Sequence, residues 1–127
     1  MASLIEKLGI PVTLVADAAV GYIMERVDLV MVGAEAIVES GGIYNTTGTY
    51  LISVMAKAAN KPFYIVGESF KFLREYPLSQ KDANLTGLTT LDTSDTKVKL
   101  YSPATDYTPP GNIALLFTDI GLCIYVY

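Results

Sequence analysis

The stretch "VGAEAIVESGGIYNTTGTY", residues 32–50, begins as the end of an apolar strand and finishes as the start of a helix. Between the two lie an acid at Glu35, a glycine pair at Gly41 and Gly42, and an amide at Asn45. The run "VDLVMVG" (27–33) that leads into it is continuously apolar and of strand length. From Gly48 to Asn60, Thr49, Ser53, Lys57 and Asn60 fall on one stripe at helical spacing, with Leu51, Ile52, Val54, Met55 and Ala59 around the rest. Strands that are apolar throughout belong to parallel sheets covered on both faces, so this unit is read as strand, polar turn and helix in an α/β protein.

The same grammar extends outward. "PVTLVA" (11–16) and "PFYIVG" (62–67) read as further buried strands, and "AAVGYIMER" (18–26) reads as the helix between the first two. Ser3 with Glu6 forms a capping box for a short opening helix over 3–8, which Gly9 and Pro11 end. The order is therefore α, β, α, β, α, β, which predicts a Rossmann-like open parallel sheet with helices on both faces and right-handed crossovers. With only three recognisable strands the domain is partial, and one sheet edge lies open. Residues 78–106, rich in Ser, Thr and Asp, read as a long mobile excursion. A final helix is expected from Thr108, with Pro109 and Pro110 in its first turn and Gly121 at its end.

Composition narrows the function. With 127 residues, 51% hydrophobic and 17% charged, the chain fits a single domain, 1–127. Its net charge of -4 and scattered nine Lys and Arg exclude the basic footprint of a nucleic-acid binder. Mean hydropathy is +0.38, yet no apolar run approaches the roughly 18 residues needed to span a bilayer. One cysteine, Cys123, permits no intrachain disulfide, and a start without a basic stretch leading into an apolar one fits a cytoplasmic protein. Cys123 itself reads as a small buried hydrophobe. The chain has no histidine, which removes the commonest base near neutral pH and the commonest metal ligand. No metal or cofactor is implied.

In an open parallel sheet, ligands bind beyond the carboxyl ends of the strands. Each predicted strand is followed by an acid: Asp17, Glu35 and Glu68. The amides that open the helix near Asn45 to Thr49 belong on the same rim, where free N–H groups favour an anion. Carboxylates for hydroxyls beside amides for phosphate describe a sugar-phosphate site. Simpler roles stand beside this one. Asp17 suits an N-cap, Glu68 can pair with Lys71, and Gly41 and Gly42 can supply positive φ in a turn. Asn84-Leu85-Thr86 matches a glycosylation acceptor without the secretory signal that would give it meaning.

The runs "GIPVTLVADAAVGYIMERVDLVMVGAE", "GGIYNTTGTY", "NKPFYIVGESFKF" and "DYTPPGNIALLFTDIG" closely resemble the carboxyl-terminal domain of the alpha subunits of eukaryotic translation initiation factor 2B. The resemblance covers Leu4 to Gly121, in a family that also holds methylthioribose-1-phosphate and ribose-1,5-bisphosphate isomerases. It implies a regulatory and assembly subunit of the factor that exchanges guanine nucleotide on initiation factor 2. Self-association, contacts with the other subunits and with initiation factor 2, and a vestigial sugar-phosphate pocket go with that role. By resemblance, Asp17, Glu35, Gly42, Asn45 and Thr46 line the pocket, and none is catalytic. The isomerases place a proton-transferring aspartate at the position of Glu35; one extra methylene moves a carboxylate by more than catalysis tolerates. The family pattern has lysine where Thr46 stands, so a phosphate-neutralising charge is missing. The family's catalytic cysteine and its amino-terminal helical domain lie upstream of the region matched, and "LCIYVY" departs from the family's last helix. The resemblance therefore implies one part of a longer protein, such as a truncated gene product. The alternatives are a fragment of a sugar-phosphate isomerase, or a domain that has lost both roles.

Overall fold

A parallel ladder joins the run before Glu35 to the run at 63–66. In the computed structural model, which describes residues 1–83 and 102–123, the elements in chain order are α1 (Ala2–Lys7), α2 (Val20–Ile23), β1 (Val30–Gly33), β2 (Ala36–Val38), β3 (Ile43–Thr46), α3 (Thr49–Ala58), β4 (Phe63–Val66), β5 (Phe72–Leu73), β6 (Thr105–Thr108), β7 (Leu115–Thr118) and β8 (Gly121–Cys123). They form two sheets, ordered β1-β4-β7-β8 and β5-β2-β3-β6. In the first, β4 pairs parallel with both β1 and β7, while β8 returns antiparallel. The α/β class with a parallel sheet is as the apolar runs predict.

The main core joins both sheets to α3 through Met24, Ala34, Ile37, Ile43, Ala56, Phe63, Ile65 and Leu116. A smaller cluster of Val38, Tyr44 and Tyr107 sits under the second sheet, with the two rings edge-on at 5.8 Å.

Several local expectations change. Residues 11–16 form no strand: they bear the β-branched signal, but no neighbour offers a ladder and Leu14 is 87% exposed. The first helix starts one residue before Ser3, with Met1 as N-cap and no side-chain cap, so the capping box does not form. Gly9 does end it, at φ +77. The helix expected over 18–26 is divided, with 3-10 turns at Asp17–Ala19 and Met24–Arg26 flanking α2. The helix expected from Thr108 is absent. Pro109 and Pro110 lead only into a 3-10 turn, and the apolar run beyond becomes β7, because β4 offers an open edge that buries Leu116 to 1% exposure. A short apolar run looks the same in a buried helix and a buried strand, and here tertiary pairing decides.

The central helix divides its polar stripe: Thr49 and Ser53 are buried, Lys57 and Asn60 are exposed, and Ile52, Met55, Ala56 and Ala59 supply its core-facing side while Leu51 is 55% exposed. Each buried hydroxyl is satisfied, since Thr49 donates to the Thr46 carbonyl (2.7 Å) and accepts from Asn45 Nδ2 (3.1 Å). Ser53 donates to the Tyr50 carbonyl (2.7 Å) and accepts from Asn112 Nδ2 (3.0 Å). Burial is tolerable because these hydrogen bonds replace the water that is lost.

Residues 84–101 of the predicted excursion lie outside the described residues. Toward its near end Gln80 holds β6 with both ends of its amide, donating to the Tyr107 carbonyl and accepting from the Tyr107 N–H (2.9 Å). No helix among the described residues is long and apolar enough to cross a membrane.

Candidate functional site at the strand ends

The polar turn after β1 is a hairpin. β2 and β3 pair antiparallel, Ala36 with Tyr44 and Ile37 with Ile43. Gly41 takes φ +87 and donates to the Val38 carbonyl (2.9 Å), as a turn glycine should. Gly42 serves a different need: a Cβ there would meet the Thr108 carbonyl and the Tyr107 hydroxyl, each at 2.6 Å. This packing stands apart from the cavity described next, whose lining does not include Gly42.

Beyond the hairpin, Gly48 turns the chain at φ +108 and opens α3. A cavity of about 240 Å³ lies here, lined by Asp17, Val20, Thr46, Thr47 and Gly48 together with the first turns of α3. Asp17 is the first residue of its own 3-10 turn, which no side-chain hydrogen bond caps, so the N-cap role does not account for it. Glu35 joins from the rim, its Oε1 accepting from the Thr46 hydroxyl at 3.4 Å. Asn45 braces the cavity from behind through Thr49. Asp17, Thr46, Glu35 and Asn45 are thus neighbours, and Gly42 is set apart.

Glu68 also departs from the common rim. It lies past the end of β4, next to β1, but it pairs with Lys71 at 2.8 Å and faces a separate depression with Asp119. The Lys71 hydrogen bond holds the Glu68 carboxyl below its usual range. Asp119 is lowered too, because it accepts from the Ser69 N–H (2.6 Å) and then from the Ser69 hydroxyl (3.0 Å).

One residue of the site escaped sequence reasoning. Asp106, on β6, accepts from the N–H of Gly48 (2.7 Å) and of Tyr50 (3.1 Å), capping α3 from 58 and 56 residues away. No local pattern announces a cap supplied from another strand; only the β3–β6 register, Asn45 opposite Asp106, brings it there. The consequence for an anion is direct. Of the amides expected to receive a phosphate, that of Gly48 already holds a carboxylate, which the Tyr50 N–H shares, and no lysine or arginine lines the cavity. With Asp17, Glu35 and Asp106 nearby, the local field favours hydroxyl donors over phosphate.

Burial raises the Asp106 carboxyl, against the lowering effect of the Gly48 and Tyr50 N–H bonds. Its raised value means that the ionised form is the costly one. This group's contribution is full below the ordinary aspartate value and falls as pH rises through the raised one. Asp106→Ala should therefore lose about 1–2 kcal/mol, the loss typical of an N-cap. Asp106→Asn should lose less at neutral pH, because it keeps an acceptor without burying charge. Urea denaturation of both variants at pH 4 and pH 7 checks the order.

These elements define a class: an open-sheet α/β protein with a hairpin and a capped helix around a strand-end crevice. The chain belongs to the Initiation factor 2 subunit family, which residues 1–124 match. It is 46% identical over 134 residues to the translation initiation factor eIF2B subunit alpha of Dictyostelium discoideum, covering 95% of this chain and 41% of that protein. It is 34% identical to the ribose 1,5-bisphosphate isomerase of Archaeoglobus fulgidus, covering 92% and 39%. The crystal structure of translation initiation factor eIF-2B subunit delta from A. fulgidus superposes with a TM-score of 0.79 at 34% identity, covering 98% of this chain and 38% of that one. The chain thus spans about two fifths of the length of the relatives it matches.

Proposed function

We propose that this chain acts as a non-catalytic regulatory and assembly part of the guanine-nucleotide exchange factor for translation initiation factor 2. The observation that carries this reading is its 46% identity to an initiation-factor alpha subunit against 34% to a sugar-phosphate isomerase, over nearly the same residues. The site chemistry agrees. A catalytic pocket for sugar phosphates needs positive charge at the phosphate, whereas this cavity presents carboxylates and a threonine. The partners of this role are the other exchange-factor subunits, initiation factor 2 and a second copy of the chain, in the cytoplasm. A pull-down with the tagged chain from a eukaryotic cytosol should recover exchange-factor subunits. Recovery of none, together with measurable aldose-to-ketose conversion of a ribose phosphate, would reverse the assignment toward the isomerases.

The same proposal gives the crevice a residual ligand role, with Asp17 and Glu35 receiving sugar hydroxyls and Asn45 and Thr46 shaping the wall. Gly42 keeps its place in the hairpin turn behind them. Ribose phosphates at millimolar concentration should then raise the melting temperature of the natural chain only slightly. Thr46→Lys, which adds a cation beside Glu35 at the cavity mouth, should enlarge that shift. Identical melting curves with and without ligand in both proteins would remove the pocket from the proposal.

A further inference from the structure

A cavity of about 480 Å³ lies where α2 and the 3-10 turn after it pass the far end of α3, and it shares no lining residue with the strand-end crevice. Small residues create it. Gly21 on α2, with Ala58 and Ala59 at the end of α3, leaves space between the two helices, and a Cβ at Gly21 would lie 3.0 Å from Met55 Cε. Met24, 3% exposed, and Met55 supply the apolar wall, and unbranched thioethers adapt to the shape of a guest. Two charged side chains complete the lining, Glu25 from the turn Met24–Arg26 and Lys61. Asn60, at φ +54, turns the chain as it leaves α3, and the Lys61 N–H bonds back to the Ala56 carbonyl at 2.8 Å, which holds Lys61 beside the cavity. Among the described residues neither the Glu25 carboxylate nor the Lys61 ammonium has an ion-pair or hydrogen-bond partner. At the other depressions such charges are already engaged: Glu68 pairs with Lys71 at 2.8 Å, and Lys57 donates to the Gly111 carbonyl at 3.0 Å.

We propose that this cavity binds a free α-amino acid with an apolar side chain, its carboxylate on Lys61, its ammonium on Glu25 and its side chain against Met24 and Met55. The charge pattern selects the class. One unpartnered anion and one unpartnered cation beside an apolar wall match a zwitterion. A phosphate or a simple carboxylate would meet Lys61 but bring a like charge to Glu25, and an amine alone would do the reverse at Lys61. Both protein side chains are long enough to converge on the adjacent charged groups of one amino acid while their stems stay against apolar surface. The site stands apart from the exchange-factor role and from the crevice, so the failure of either does not bear on it.

The test is a titration of the whole chain, carrying isotope-labelled methionine methyls, with L-leucine, followed by nuclear magnetic resonance. Saturable shifts at the Met24 and Met55 methyls, with Met1 unmoved, are the expected result. Two analogues dissect the charges: leucinamide lacks the carboxylate, and 4-methylpentanoate lacks the ammonium. Each should bind about two- to fivefold more weakly than leucine, the range for a solvent-exposed ion pair. Lys61→Gln should erase leucine's advantage over leucinamide and keep its advantage over 4-methylpentanoate, and Glu25→Gln should do the opposite. Neither side chain has a partner to lose, so both variants should keep the melting temperature of the natural chain. No saturable shift at tens of millimolar leucine overturns the proposal. So does equal binding of all three compounds to the natural chain, which would leave only an apolar groove. Shifts at Met24 and Met55 that grow with the concentration of the chain in the absence of leucine assign the groove to a second copy and also overturn it.

Discussion

Phe63→Ala is expected to destabilise the fold by about 3–5 kcal/mol, the usual loss for a buried aromatic residue truncated in a core that collapses only in part. Phe63 is 1% exposed and opens β4, the strand on which both neighbours of the parallel sheet depend. Its carbonyl accepts from the Ala114 N–H at 2.8 Å, so the same residue sets the register of β7. A cavity here would touch the helix, the hairpin and the sheet together. Since single domains hold only about 5–15 kcal/mol in all, a loss of this size removes a large share of the total and should lower the denaturation midpoint markedly. Val66→Ala, on the exposed face of the same strand, should change stability by less than about 1 kcal/mol. Chemical denaturation of the pair provides the check, and equal losses in the two would refute the burial argument.

Gly42→Ala is the second large effect, and it bears on what the hairpin glycine is for. The added methyl would lie 2.6 Å from a backbone carbonyl and from the Tyr107 hydroxyl, well inside van der Waals contact. The ring has little freedom to retreat. Tyr107 donates to the Pro77 carbonyl at 3.1 Å, lies 3.0 Å from Ser40 Oγ, and packs on Tyr44. Overpacking of this kind costs about 1–3 kcal/mol, and more where backbone blocks the relaxation. The loss should appear without any ligand, as a lower denaturation midpoint and weaker protection of β6. A variant of unchanged stability whose only defect is a lost response to ribose phosphates would instead place Gly42 at the ligand.

The two predictions mark what could and could not be read from the chain. Val30–Gly33 and Phe63–Val66 announce themselves as continuous apolar runs, and their parallel pairing follows from the helix between them. The position of Gly41 at positive φ follows from its place in a polar turn. The hairpin is not legible in the sequence, because "AIV" and "IYNT" are too short to show alternation and read as part of an extended polar turn. Residues 11–16 mislead in the opposite direction: their composition is that of a strand, but a strand exists only where a neighbour completes its hydrogen bonds.

What the sequence determined by itself is the class of fold, the place of the crevice after β1, and the poverty of its chemistry. Those depend on residue type and local period: apolar runs, a strand-end acid, no histidine, and threonine at position 46. Only the tertiary structure decided that the final apolar run is a strand, that α3 buries Thr49 and Ser53, and that Asp106 fills the helix start. The reason is common to all three. Each is settled by a partner distant in sequence, the open edge of β4 for β7, Asn112 for Ser53 and the β3–β6 register for Asp106, and local propensity does not encode such partners.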